Sequence, residues 1–193
     1  MSASVKIPVW MSVAEFMAWH PQDHRQWQLV DGEPQAMAPA GTTHGAIQSE
    51  TAHLLTGHFA DRGSPCRVIT APGIVPRVQA SHNVRIPDLA ATCSPSRADA
   101  PLLEDPVLVI EILSPSNQAE TWSNVWTYTS IPSVQEILVV RTAEIRADLL
   151  RRSPDGTWPE RPAELRGGDL ELTSVGFRAG LAALYRTTHL APR

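Results

Sequence analysis

Two acids stand out by their settings. Asp88 closes the segment Arg85-Ile86-Pro87-Asp88, and Glu111 lies inside the apolar run Pro106-Val107-Leu108-Val109-Ile110-Glu111-Ile112-Leu113. A charge inside such a run is costly unless it is paired or holds a metal. Metal-assisted hydrolysis of a phosphodiester needs carboxylates on rigid elements, converging on Mg²⁺ (or Mn²⁺) from different strands and leaving positions for water and a phosphate oxygen. Asp88 and Glu111 meet that need if their strands are neighbours, and the backbone carbonyl of Ile112 is a natural third ligand. The competing reading is structural: Asp88 caps a strand end and Glu111 pairs with an arginine such as Arg85. A lysine should complete the chemistry. The chain has one, Lys6, in what reads as a loose N-terminal segment over residues 1–10.

The elements that must position these acids follow from periodicity and punctuation. Residues 11 to 20 suit a short helix with Ser12 as cap, Glu15 three residues on and Pro21 beyond. Gln26 to Val30, Asp31-Gly32 and Glu33 read as a β-hairpin, because Asp-Gly favours a two-residue turn. A long helix is expected over 43 to 62, with Ile47, Leu54, Leu55 and Phe59 at helical spacing and Gly63 just past its end. Residues 66 to 79, broken by prolines, suit bent or edge strands, and Val84 to Thr92 a strand interrupted by Pro87. Val107 to Leu113 has the near-continuous apolar character of a strand covered on both faces. A helix over 118 to 130 follows, then strands over Ile137 to Arg141, Glu144 to Arg152 and Leu170 to Leu172. A closing helix is expected over Gly176 to Tyr185. The order favours a mixed α/β fold around one sheet.

Composition narrows the classes. With 193 residues and 42% hydrophobic content, the chain suits one domain over 1–193 with a real core. The net charge of −4 argues against wholesale coating of nucleic acid. A local basic face built from Arg141, Arg146, Arg151 and Arg152 stays open. Cys66 and Cys93 make neither a disulfide framework nor a zinc site and read as buried thiols in a reducing cytosol. No signal peptide and no run of about 18 apolar residues is present, so the expectation is a soluble, cytoplasmic protein without a membrane span.

Several stretches occur in one order: Trp27-Gln28-Leu29-Val30-Asp31-Gly32-Glu33, His44 opening a helix, Ile86-Pro87-Asp88, Val109 to Ser116, Tyr128, and Ile131-Pro132-Ser133-Val134-Gln135-Glu136-Ile137-Leu138-Val139-Val140. The ordered set resembles the Uma family, a bacterial group of endonucleases, over most of residues 11 to 145. The resemblance implies a restriction-endonuclease-like α/β fold: a central mixed sheet flanked by helices 43 to 62 and 118 to 130, with the hairpin and C-terminal strands extending it. It implies a Mg²⁺-dependent DNA endonuclease in which Asp88 and Glu111 are the acids of a PD-(D/E)xK core. In the general motif the lysine falls two residues after the second acid, here Leu113. In the Uma group it comes from the following helix, four residues before a tyrosine. Tyr128 is in place, and the lysine position is Asn124.

Two more positions depart from the family pattern: Glu120 stands where an Asp is expected, and Gln28 where the first hairpin strand carries an acid. Asn124 can donate a hydrogen bond but carries no charge. Either Gln28, Gln48 or an arginine substitutes for the lysine, or the fold has lost cleavage and acts as a binding, regulatory or homodimeric module. His44 reads as a general base or phosphate ligand, or else as a helix cap or packed polar group. Glu50 is a candidate additional acid. Trp122 and Trp126, four residues apart on one helix face, read as core or dimer packing, with base stacking as the alternative.

Overall fold

The computed structural model describes residues 10–21, 25–95, 97–98 and 100–192. Lys6 lies outside them, as does the expected N-terminal segment except for Trp10. Helix α1 (Val13–Ala18) begins with the anticipated reciprocal cap: the Glu15 N–H donates to Ser12 Oγ at 3.2 Å and the Ser12 N–H to Glu15 Oε2 at 2.7 Å. Strands β1 (Trp27–Val30) and β2 (Glu33–Ala36) form the antiparallel hairpin. Its turn residues Asp31 and Gly32 have φ of 48° and 90°, the hand that matches strand twist. A Cβ at position 32 would lie 2.6 Å from the Trp10 ring, so glycine is needed for space as well as conformation.

Helix α2 (Thr42–Asp61) is followed by β3 (Arg67–Thr70), β4 (Leu89–Thr92), β5 (Pro106–Leu113), helix α3 (Gln118–Tyr128), β6 (Glu136–Arg141), β7 (Ala147–Arg151), β8 (Ala163–Leu165), β9 (Asp169–Leu172), β10 (Phe177–Gly180) and a 3₁₀ turn, Leu181–Tyr185. Strands β3 to β8 form one six-stranded sheet in sequence order. β5 and β6 are parallel, with α3 in the connection that crosses between them, and every other neighbouring pair is antiparallel. This is the mixed, helix-flanked sheet expected from the sequence.

Period-two alternation along β5 splits the core. Leu108, Ile110 and Ile112 pack with Ile47, Leu55 and Phe59 of α2 and with Leu181, Leu184 and Tyr185. Val109 and Leu113 pack with Val125 and Tyr128 of α3 and with Ile137 and Val139 of β6. Glu111 shares the second parity, so its side chain belongs to the α3 face.

Several expectations are corrected. The hairpin and the β9–β10 pair do not extend the central sheet but form separate two-stranded sheets. The strand that does extend it is β8, a stretch with too little apolar pattern to stand out in the sequence. Only Leu89–Thr92 of the expected 84 to 92 strand enters the sheet. Val84 and Arg85, on the other side of the donor-less Pro87, make single bridges to Leu29 and Ile74. Cys66 and Cys93 are not free buried thiols: they are half-buried and joined in a disulfide. They lie one step beyond the Arg67↔Thr92 pair of β3 and β4, so strand pairing juxtaposes residues 27 apart in the chain. The thiols therefore give no support for a reducing compartment. Among the described residues, no helix is long and apolar enough to cross a membrane.

Candidate functional site

The sheet brings Asp88 to Glu111 through register. Leu89 pairs with Ile110, so Asp88, the residue before β4, arrives beside the end of β5. Its Oδ2 accepts the Ile112 N–H at 2.6 Å, which fixes the carboxylate against the strand end. Its Oδ1 lies 2.8 Å from His44 Nε2. Gln48, four residues after His44 and on the same face of α2, donates its amide to the Asp88 carbonyl at 2.8 Å. His44 is thus neither a helix cap nor remote from the acids.

Glu111 is 6% exposed and accepts a hydrogen bond from the Tyr128 hydroxyl at 2.7 Å. Burial, then the neighbouring Asp88 carboxylate, hold its proton affinity well above the ordinary glutamate value of 4.5. Burial, followed by the charge of Glu111, likewise raises the Tyr128 phenol. The arginine partner offered for Glu111 in the structural reading is replaced by this tyrosine: Arg85, also buried, donates from Nη1 to Asn124 Oδ1 at 3.2 Å.

Glu120, Asn124 and Tyr128 recur every four residues along α3 and present one face toward the acids. Gln28 of β1 donates its amide to Glu120 Oε1 at 2.9 Å, so the two further departures from the family pattern touch one another. Gln28 Oε1 is buried and has no hydrogen-bond partner among the described residues. An open cleft of about 750 Å³ runs across this assembly, lined by His44, Gln48, Asp88, Glu111, Glu120 and Asn124 among others. Arg25 stands on its wall, its guanidinium 4.9 Å from the centre of the Trp27 ring.

Other candidates lie elsewhere. Glu50, six residues after His44, is off the face that carries His44 and Gln48 and pairs with Arg186 at 2.7 Å. It does not line the cleft. The four arginines of the suggested basic face are committed internally: Arg141 to Asp148, Arg146 to Glu164, Arg151 to Glu136, and Arg152 to the carbonyls of Pro132 and Gly156. Trp122 packs against the α3-side core, whereas Trp126 is 43% exposed, so the core reading holds for the first indole and not for the second. Arg85, expected beside Glu111, instead directs its guanidinium to Asn124 of α3.

Among the described residues, no three His, Cys, Asp or Glu side chains gather as a metal cage. The donor set nevertheless suits a hard divalent ion, since Mg²⁺ is commonly held by one or two carboxylates with water completing its shell. Ile112 presents its N–H to Asp88, and a strand residue directs its carbonyl to the same edge as its N–H, so a third oxygen faces the acids.

Comparison with known proteins bears on the family and the fold. The model of the Uma2 family, described as "Putative restriction endonuclease", matches residues 13–184. An uncharacterized protein of Synechocystis sp. (strain ATCC 27184 / PCC 6803 / Kazusa) is 27% identical over 179 residues, covering 91% of this chain and 92% of that protein. A crystal structure of a "putative nuclease belonging to DUF820" from Anabaena variabilis ATCC 29413 superposes with a TM-score of 0.73, covering 91% of this chain and 97% of that one at 16% identity. That likeness is one of fold.

Proposed function

The chain belongs to the Uma2 family of putative restriction endonucleases, and from that premise we propose that it is a divalent-metal-dependent endonuclease acting on DNA. Asp88, Glu111 and the Ile112 carbonyl would hold Mg²⁺ or Mn²⁺. The observation that carries this reading is the placement of two carboxylates side by side in an open cleft, one of them buried against the other with a tyrosine hydroxyl as donor. When bound, the ion supplies Lewis-acid activation of water and shares the charge of the phosphate.

The remaining roles fall to the chain's own groups. Ile112 N–H and His44 orient Asp88 from two sides, so that its carboxylate has little freedom to rotate. The Tyr128 hydroxyl orients Glu111 from behind. Burial and the neighbouring Asp88 raise the proton affinity of Glu111, and positive charge arriving in the cleft would lower it. Gln28 fixes Glu120 at the α3 wall.

A second reading, recognition of DNA without cleavage, is favoured by one observation: position 124 carries an amide and no charge. Incubation of supercoiled plasmid with Mg²⁺ or Mn²⁺ separates the two. The endonuclease reading expects nicking by the wild type and none by Asp88→Ala. Equal cleavage by both would mark a contaminant and sink the assignment. Absence of cleavage with retained duplex binding would favour the second reading.

A further inference from the structure

We propose that Arg85 is a positioning residue that fixes the side-chain amide of Asn124, so that Asn124 presents hydrogen-bond donors to an anionic oxygen of the phosphodiester class beside Asp88 and Glu111. The inference deepens the endonuclease reading and rests on it for the identity of the anion. Its warrant is stereochemical. A guanidinium has donors and no acceptor, so the Asn124 atom that faces it must be Oδ1. Arg85 Nη1 does approach Asn124 Oδ1, at 3.2 Å. The Nδ2 group is then turned away from Arg85, and Asn124 lines the cleft that holds both acids.

Arg85 itself is 4% exposed and does not line the cleft, so it acts on a ligand only through another group. Its Nε is buried without a hydrogen-bond partner among the described residues, an arrangement that costs stability and that packing alone does not require. Burial depresses its pKa, opposed by electrostatic interaction with Asp31, Tyr128 and Glu120. A buried cation behind an amide makes the amide a better donor, because hydrogen bonds in a chain polarise one another where the dielectric is low. Asn124 is thus a neutral donor backed by a fixed charge.

The decisive variant is Asn124→Asp. It keeps a partner for Arg85, and a stronger one, but offers the cleft acceptors and negative charge in place of donors. Two readouts should move in opposite directions: Mn²⁺ alone, followed by calorimetry, binds more tightly, while a short DNA duplex in Ca²⁺, followed by fluorescence anisotropy, binds about 10- to 100-fold more weakly. The thermal midpoint stays at or above that of the wild type. Arg85→Met releases the amide and weakens duplex binding in the same direction, and Arg85→Lys, which restores a donor to Oδ1, recovers part of it. A purely structural Arg85 would leave duplex binding by folded Arg85→Met unchanged, and that result overturns the proposal, as does unchanged duplex binding by Asn124→Asp. A wild type that fails to bind the duplex overturns it too. Wild-type binding without cleavage in Mg²⁺, combined with the loss in Asn124→Asp, refutes the endonuclease reading and upholds this one.

Discussion

Glu111 and Glu136 are both buried, on neighbouring parallel strands of one sheet, yet they are treated in opposite ways. Glu136 is fully buried and receives four hydrogen bonds: from Arg151 Nε at 2.7 Å, the Thr173 N–H and hydroxyl at 3.2 Å each, and the Ser174 N–H at 2.8 Å. Those donors tie β6 to β7 and to the turn after β9. Glu111 receives the Tyr128 hydroxyl and lies against a second acid. A buried acid that serves architecture is surrounded by donors and a cation; one kept for chemistry is left short of positive charge, at a cost to stability. The contrast sets the proposed site apart more clearly than burial or residue type does.

The contrast can be broken by substitution. The largest effect on folding is expected from Glu136→Ala, which strands buried donors around an empty place. We expect a loss of about 3 kcal/mol in urea unfolding, at the low end for a broken buried pair because Arg151 is half-exposed and can turn to water. A loss below about 1 kcal/mol would remove Glu136 from the architectural class. Glu111→Gln should do the reverse: metal-dependent cleavage falls at least ~100-fold, as when a preorganised charged group is lost, while apo stability at neutral pH is retained or rises. Retained cleavage would remove Glu111 from the chemical class.

The smallest and most specific test is pH. Because the native Glu111 pKa is raised, folding favours the protonated form, and its contribution is full below the ordinary value of 4.5 and is lost as pH rises through the native value. The wild type minus Glu111→Gln difference in apo stability should therefore become less favourable across that window, by at most about 1.4 kcal/mol per pH unit. Saturating Mn²⁺ should flatten the curve. A difference that is constant with pH in the absence of metal would mean that Glu111 is not held short of charge.

Much of the sheet was legible because its information is local. The β5 run, the Asp-Gly turn and the Ser12/Glu15 cap each specify their structure within a few residues, and the structure has all three. Asp88 and Glu111 were legible as an unusual pair for the same reason, since a charge embedded in an apolar strand is anomalous wherever the strand goes. Glu50 was misjudged because helical spacing tells which residues share a face but not which neighbour that face meets. The cysteines were misjudged because the register of β3 on β4, and not chain proximity, brings them together.

By itself, then, the sequence determined most of the elements, the hand of the hairpin turn and the two acids that are out of keeping with their strands. These depend on backbone preference and apolar periodicity, which act over one or two turns of chain. Only the tertiary structure decided what those acids meet: His44 on Asp88, Tyr128 on Glu111, Gln28 on Glu120 across 92 residues and Arg85 on Asn124 across 39. Hydrogen bonds of this kind act over about 3 Å and exist only where packing brings their groups into reach, so no local pattern can encode them.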